Sequence, residues 1–257
     1  MNERLPAAQN LPAVLIMRYR YTIKAVFIER RNRFTASVLL PDGSAAEAHV
    51  KNTGRLTDLL VSGNTVYLEP ADDPKRKTAY DLIAAEKPGS GLFNIDSQAP
   101  NKVTAEWLAD CGFDTVHPEY RYGNSRIDFR MKRGQEEFLL EVKGCTLERD
   151  GTGYFPDAPT DRGTRHLREL TGVLENGIHA GIAFVLQAEN MREVLPNGDV
   201  DPAFASAFRD AVSAGVAVFF CPCRVTPDSL EIASVIPSPG TDESSWRLDT
   251  SVISADN

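Results

Sequence analysis

The stretch Ile127 to Gly144, IDFRMKRGQEEFLLEVKG, constrains the fold more than any other part of the chain. Two apolar runs flank a charged centre, and Gly134-Gln135 between them suits a two-residue type II′ hairpin turn, which needs a positive φ at its first position. That turn sets a register. Arg133 faces Glu136, Lys132 faces Glu137, and each further pair steps outward until Asp128 stands opposite Glu141. Opposed residues on an antiparallel pair have Cβ atoms roughly 5 Å apart, so two carboxylates repel one another there unless a cation lies between them. Side chains alternate along a strand, so Lys143 shares the face of Glu141 while Phe138, Leu140 and Val142 point into a core. Two hard oxygen ligands and an ammonium group converge, a set suited to Mg²⁺ or Mn²⁺, whose sites combine carboxylates with waters and substrate phosphate. The same residue types also occur on an exposed hairpin with solvated charges, and the hairpin alone does not separate the two readings.

The chain has 257 residues, 42% hydrophobic and 25% charged, which is a globular composition long enough for two modest domains. No run approaches the ~20 apolar residues of a membrane span, and the opening MNERLPAAQN lacks a basic segment followed by an apolar signal core. A cytoplasmic protein is expected. Cys111, Cys145, Cys221 and Cys223 show no zinc-ribbon spacing and the four histidines are scattered, so buried thiols are expected rather than a metal site.

Net charge is −8, but its distribution is uneven: residues 1–96 carry 13 basic and 11 acidic residues, net +2, and the remainder 15 and 25, net −10. The basic bursts RYRYTIK (18–24), ERRNR (29–33) and DPKRKT (73–78) argue for contact with phosphates. If the first is extended, Arg18 and Arg20 share one face and Tyr19 and Tyr21 the other, either as a basic face backed by aromatics or as an edge strand with solvated arginines. Short strands from Ala25 to about Leu68, with turn signals at Arg31-Asn32, Pro41-Asp42-Gly43 and Ser62-Gly63-Asn64, suit a small OB-like β-barrel.

GSGLFNIDSQAPN (89–101) reads as a linker into a helix capped by Asn101 and ended by Gly112, which puts a domain boundary near residue 95. After the hairpin come a polar loop (148–160), a helix over 161–176 capped by Thr160 and stopped by Gly177, a buried strand (181–187), a helix (202–214) and a second buried strand (216–223). This order implies an α/β layer. The expected division is 1–95 as an OB-like domain, 96–236 as an α/β domain, and 237–257 as a disordered tail. On the 161–176 helix, Arg162, His166 and Glu169 share one face and Leu167, Leu170 and Leu174 another; the polar stripe faces either substrate or solvent.

Asp128 followed by twelve residues and then Glu141-x-Lys143 resembles the core of the PD-(D/E)xK nucleases. Taken with YGNSRIDF (122–129), EVKGCTL (141–147), YFPDAPTDRGTRHLREL (154–170), RRNRF (30–34), NTGRL (52–56) and KRKTAYDL (75–82), the chain resembles the sugar fermentation stimulation protein A family from about residue 20 to 225. The resemblance implies an OB-like domain joined to a nuclease-like α/β domain, DNA binding, and a regulatory role in sugar metabolism. It leaves open whether the nuclease-like site cuts. Asp161 stands where the family motif usually has Glu.

The expected catalytic set is Asp128, Glu141 and Lys143, with Asp128 and Glu141 as ligands of Mg or Mn and with Glu106 or Glu119 as an additional acid. The expected nucleic-acid contacts are Arg18, Arg20, Arg31, Arg33, Asn52, Arg55, Lys75, Arg76, Lys77, Asp157, Arg162 and His166. The partner is DNA with little sequence preference, RNA remaining open; the alternative function is a metal-dependent nuclease. No membrane is expected, and the oligomeric state is open.

Overall fold

The computed structural model describes residues 17–248 except 74 and 124. Its first half is a barrel of short strands: β1 (Ile23–Asn32), β2 (Thr35–Leu39), β3 (Ala45–His49), β4 (Thr65–Pro70) and β5 (Tyr80–Lys87). They pair in the order β3-β2-β1-β4-β5, and a parallel β3–β5 pairing closes the circle. Closure removes the exposed sheet edges of a small five-stranded sheet. Ala36, Val38, Ala48, Val66, Leu68 and Leu82 fill the interior with essentially no exposure. The β2–β3 turn lies at Pro41–Gly43 as expected, whereas β1 continues through Arg31-Asn32 and turns at Arg33-Phe34. There Asn32 Oδ1 accepts the Phe34 N–H at 2.9 Å, so the asparagine brackets the turn from its last strand position.

The stretch read as a linker is instead structural. Gly91–Asn94 forms β6, which pairs with β5, and Phe93, Asn94, Ile95 and Asp96 are fully buried. Its glycines and serine occupy the turn into β6, and the apolar Leu92, Phe93 and Ile95 belong to the core. The helix that follows, α1 (Ala99–Asp110), begins at Gln98 and not at Asn101. Pro100 in the first turn is the signal for that earlier start, because proline is tolerated where the N–H has no helical partner.

Beyond α1, a central sheet contains β7 (Thr115–Tyr122), β8 (Ser125–Arg133) and β9 (Glu136–Cys145) as an antiparallel meander. Next, β10 (Glu148–Arg149) and β11 (Thr152–Phe155) lie inside the segment expected to be a polar loop. Helix α2 (Asp161–Val173) has the expected Thr160 cap, whose Oγ1 accepts the Gly163 N–H at 3.0 Å, and Gly177 ends the following 3-10 turn at φ 70°. The chain continues through β12 (His179–Leu186), β13 (Glu193–Pro196), α3 (Pro202–Ala214), β14 (Ala217–Thr226), β15 (Ser229–Ile232), β16 (Ile236–Pro237) and α4 (Glu243–Trp246).

The central sheet runs β15-β14-β12-β9-β8-β7, with β16 also on β14, and β12 lies parallel to both β9 and β14. Buried on both faces, β12 and β14 read as continuous apolar runs. On one face Val103, Trp107 and Leu108 of α1 pack with Phe138, Leu140, Val142 and Phe219. On the other, Leu167, Leu170, Phe204 and Ala211 of α2 and α3 pack with Leu139, Ile182 and Phe184, in a cluster continuous with the barrel interior. A small sheet, β10-β11-β13, borders this side. All four cysteines are buried. No helix among the described residues is long and apolar enough to cross a membrane.

The expected disordered tail is ordered through residue 248. Trp246, 3% exposed, packs edge-on against Phe138 and Phe219, and its ring lies where a Cβ on Gly181 would fall. Arg133 donates to the carbonyls of Trp246 and Cys111 at 2.8 Å each, joining α4 to the end of α1. A single aromatic anchor outweighs the polar composition around it. Trp246→Ala is expected to cost roughly 3–5 kcal/mol in urea unfolding, whereas substitutions at exposed Glu243 should be nearly silent.

The two halves meet in a buried polar seam. Asp96 accepts from Lys51 Nζ at 3.1 Å and Tyr19 Oη at 3.3 Å, and its Oδ1 accepts the Gln98 N–H at 2.9 Å, so the carboxylate also caps α1. Gln187 donates to Asn94 Oδ1 at 2.9 Å, and Asn94 donates to Tyr19 at 2.9 Å. Lys51 also pairs with Asp81 at 3.2 Å. Removing the lysine leaves a buried carboxylate without its cation. Lys51→Met should therefore lower stability by about 3–5 kcal/mol, measured by chemical denaturation.

Candidate active site

The hairpin turn forms as its sequence requires: Gly134 has φ 58°, Arg133 pairs with Glu136, and Lys132 pairs with Glu137. The ladder ends at Phe129–Leu140, one pair short of Asp128 and Glu141. Ile127 and Phe129, on either side of Asp128, enter different hydrophobic clusters. The Asp128 carboxylate takes over the ladder's role: Oδ2 accepts the Val142 N–H at 2.8 Å, and Oδ1 accepts from Asn101 Nδ2 at 2.9 Å. Asn101, read from sequence as a helix cap, lies one turn inside α1 and orients Asp128.

Glu141 is 2% exposed in the middle of the sheet. Its Oε1 receives Lys143 Nζ and His166 Nδ1, while its Oε2 is buried with no hydrogen-bond partner. Burial opposes ionisation, but the Lys143 charge and the His166 contact hold the Glu141 carboxyl below the ordinary glutamate range. Asp128 is pushed the other way, by burial and then by the Glu141 charge. Two neighbouring carboxyls with opposite displacements are the expected result when one of them has the cation.

A cavity of about 500 Å³ opens above them, lined also by Glu119, Asn101, Lys102, Arg162 and Gly163. Glu119 has φ 54°, a left-handed conformation uncommon for a side-chain-bearing residue, and its carboxylate pairs with Arg126 at the rim. Glu106 does not reach this cavity. It lies one turn farther along α1, half-buried, accepts from the Met17 backbone and faces Glu231; burial raises its carboxyl. Of the two additional acids expected, the structure brings only Glu119 to the site.

The cavity continues as a cleft along the seam. Phe155 and Thr160 lead into a second pocket of about 220 Å³ beneath the 52–54 loop, and Thr146, Leu147 and Asp157 lead on to a third of about 240 Å³. Arg33, Arg55, Arg149 and Arg162 line this path. Its near wall is fixed by Arg30, which donates to the carbonyls of Gly54, Arg55, Arg33 and Asn52 at 2.7 to 2.9 Å. Asn52 Oδ1 accepts the Gly54 N–H at 2.8 Å, and Asp157 from the other half accepts the Arg55 N–H at 2.9 Å. A Cβ on Gly54 would strike Asp157, so the close approach of the loop requires glycine there. Asp157, expected among the nucleic-acid contacts, thus joins the two halves.

The remaining basic residues divide by partner. Arg18 pairs with Asp228 at 3.6 Å, Arg20 with Asp72, and Arg31 with Glu47 at 3.0 Å. Arg76 is held by Asp81 at 2.5 Å inside the seam network. Lys75 and Lys77 are exposed on the β4–β5 connection. The alternation expected around Arg18 fails, because Tyr19 is 5% exposed in the seam while Tyr21 is 65% exposed. His166, expected to touch nucleic acid, is 2% exposed and lies against Glu141. Glu169, expected on the same polar stripe, accepts from Ser125 Oγ at 2.5 Å, so the stripe turns toward the sheet. Arg30, Asn101 and Lys102 were missed, since nothing in a single sequence separates them from their charged and polar neighbours.

Among the described residues no three His, Cys, Asp or Glu side chains are grouped to hold an ion. A magnesium-type cation needs only one or two carboxylates, with waters and substrate phosphate completing its shell. The unpartnered Glu141 Oε2 and the Asp128 carboxyl, in the lining of one cavity, fit that donor set.

Two family models match in tandem: the SfsA N-terminal OB domain over residues 28–94 and the sugar fermentation stimulation protein RE domain over 98–229. A sugar fermentation stimulation protein homolog of Clostridium perfringens is 44% identical over 228 residues, covering 86% of this chain and 98% of the relative. One of Desulfitobacterium hafniense is 43% identical over 223 residues, covering 86% and 97%. The solved structure of Pyrococcus furiosus SfsA in complex with Ca²⁺ aligns with TM-score 0.73 at 26% identity, covering 86% of this chain and 95% of that one.

The Asp128 displacement carries a pH signature. A carboxyl raised above its ordinary 3.8 is stabilising only while protonated, and that stability is lost as pH rises through the raised value. In chelator, Asp128→Asn should therefore unfold at higher urea than wild type at pH 7, with the gap narrowing as pH falls toward about 4, where unfolded aspartates protonate too.

Proposed function

The chain belongs to the sugar fermentation stimulation protein family, and from that premise we propose that it binds DNA with little sequence preference along the cleft, with a divalent cation at Asp128 and Glu141. The observation that carries this reading is Glu141, a buried carboxylate with one unbonded oxygen at the floor of a cleft lined by arginines from both halves. A relative described as a Ca²⁺ complex supports the cation, since Ca²⁺ and Mg²⁺ share hard oxygen ligands. Contacts from Arg33, Arg55, Arg162 and Lys102 would go to phosphates, which carry no sequence information. RNA offers the same phosphates. The protein would act in the cytoplasm, and the family name points to a regulatory role in sugar metabolism.

Phosphodiester hydrolysis is the second reading, favoured by the hydrogen bond that joins Lys143 to Glu141. A bound Mg²⁺ or Mn²⁺ would supply charge neutralisation of the phosphate and a more acidic water. The chain would supply the rest. Arg162 and Lys102 hold the phosphate, Asn101 and the Val142 N–H orient Asp128, and Lys143 Nζ donates to the developing anion or orients the attacking water.

Ca²⁺ or Mg²⁺ should raise the thermal midpoint of the wild type, by the equivalent of about 2.7 kcal/mol at 100 times Kd. Glu141→Ala and Asp128→Ala should abolish that response. Lys143→Ala should keep it and lose any cleavage. In DNA titrations read by anisotropy, Arg33→Ala and Arg162→Ala should each weaken binding to unrelated sequences alike and reduce the salt slope by about 0.9. Arg31→Ala and Arg76→Ala should leave the slope unchanged, because their charges are already paired. An unresponsive midpoint together with a salt slope indifferent to Arg33 and Arg162 would count against the cleft as the binding surface.

A further inference from the structure

His166 lies between two residues of the cavity and is itself sealed from solvent. Its Nδ1 meets Glu141 Oε1, and its Nε2 lies 3.4 Å from Nε of Arg162, one helical turn earlier. An ionised carboxylate only accepts hydrogen bonds and a guanidinium only donates. Both contacts are satisfied together by the neutral imidazole carrying its proton on Nδ1, which donates to Glu141 while Nε2 accepts from Arg162. The local sequence delivers this geometry. Thr160 caps α2, Leu167 and Leu170 anchor it to the sheet, and Arg162 and His166, four residues apart, fall on one face.

The consequences differ on the two sides of the ring. Toward the sheet, His166 and Lys143 both occupy Glu141 Oε1, which leaves Oε2 unbonded. Toward the cavity, Arg162 is anchored through Nε, and its terminal nitrogens have no partner among the described residues. That orientation leaves the planar fork that binds a phosphate bidentately at the wall of the cavity.

We propose that His166 is a positioning residue with two separable effects: it fixes Glu141 so that Oε2 serves the divalent cation, and it fixes Arg162 so that its fork serves a DNA phosphate. This deepens the cation and DNA reading above and rests on it.

Amide side chains can separate the two effects. The Asn amide reaches about as far as Nδ1, and the Gln amide about as far as Nε2. His166→Asn should keep the Ca²⁺-induced rise in thermal midpoint and lose several-fold in affinity for fluorescein-labelled DNA measured in chelator. His166→Gln should keep the DNA affinity in chelator and lose most of the Ca²⁺ response. His166→Ala should lose both, and Arg162→Ala should lose only the DNA affinity. Circular dichroism and the metal-free midpoint of each variant establish that it is folded. A His166→Gln protein with the full Ca²⁺ response, or a His166→Asn protein with wild-type DNA affinity, overturns the proposal. So does loss of both readouts in both amide variants in step with a lowered metal-free midpoint, which is the result of a packing role alone. A wild-type protein with neither a Ca²⁺ response nor DNA affinity overturns the underlying reading and this proposal with it.

Discussion

A carboxylate in the middle of a fully covered sheet must find cations or be expelled, and Glu141 is that carboxylate. Burying an ionised group without partners costs far more than a domain's whole margin of stability. Lys143, two residues on in the same strand, is the cation, and His166 of α2 adds a ring N–H, so the position of that helix is tied to the charge it faces. The two partners share one oxygen. The other is left without a bond, and Asp128, in the same cavity lining, is anchored by Asn101 and the Val142 amide. The arrangement is an incompletely satisfied polar cluster in a core, which is costly in a structural site and expected in one that awaits a ligand.

The seam between barrel and sheet gives this site its walls. Asp96 both caps α1, which carries Asn101 and Lys102, and accepts from Lys51 of the barrel. Arg30 and Asp157 hold the 52–55 loop against the α/β half. The hydrophobic core is continuous from barrel to sheet, so both walls of the cleft rest on one packed interior. A groove that tracks a phosphate backbone needs cations held at fixed spacing, and the loop geometry supplies Arg33 and Arg55 from one wall and Arg162 from the other.

Much of this was legible in the residues. The hairpin register followed from Gly134-Gln135 and α2 from Thr160 and Gly177, since local turn and cap chemistry determine each. What failed were inferences from composition. Residues 89–101 are rich in Gly and Ser yet contain Phe93 and Ile95, which the core absorbs, and the polar tail is anchored by the buried Trp246 together with backbone and Thr241 bonds to Val218. Asn101 was misplaced because Ala99 and Pro100 precede it in the helix, after the N-cap Gln98. Basic bursts identified charge but not its partners: Arg20 and Arg31 are neutralised by acids distant in sequence, and Arg76 by Asp81 at the start of β5. His166 belonged to a correctly recognised helix face, but whether that face meets solvent or a buried carboxylate depends on tertiary packing.

The central claim is that Asp128 and the free oxygen of Glu141 form a divalent-cation site at the floor of the cleft. Anomalous diffraction from crystals grown with Mn²⁺ tests it most directly. A single strong anomalous peak within bonding distance, about 2.2 Å, of both Asp128 and Glu141, absent in Glu141→Ala crystals, is the result this account predicts. Crystals of wild-type protein showing no peak there at saturating Mn²⁺, with Glu141 Oε2 still unbonded, would contradict it.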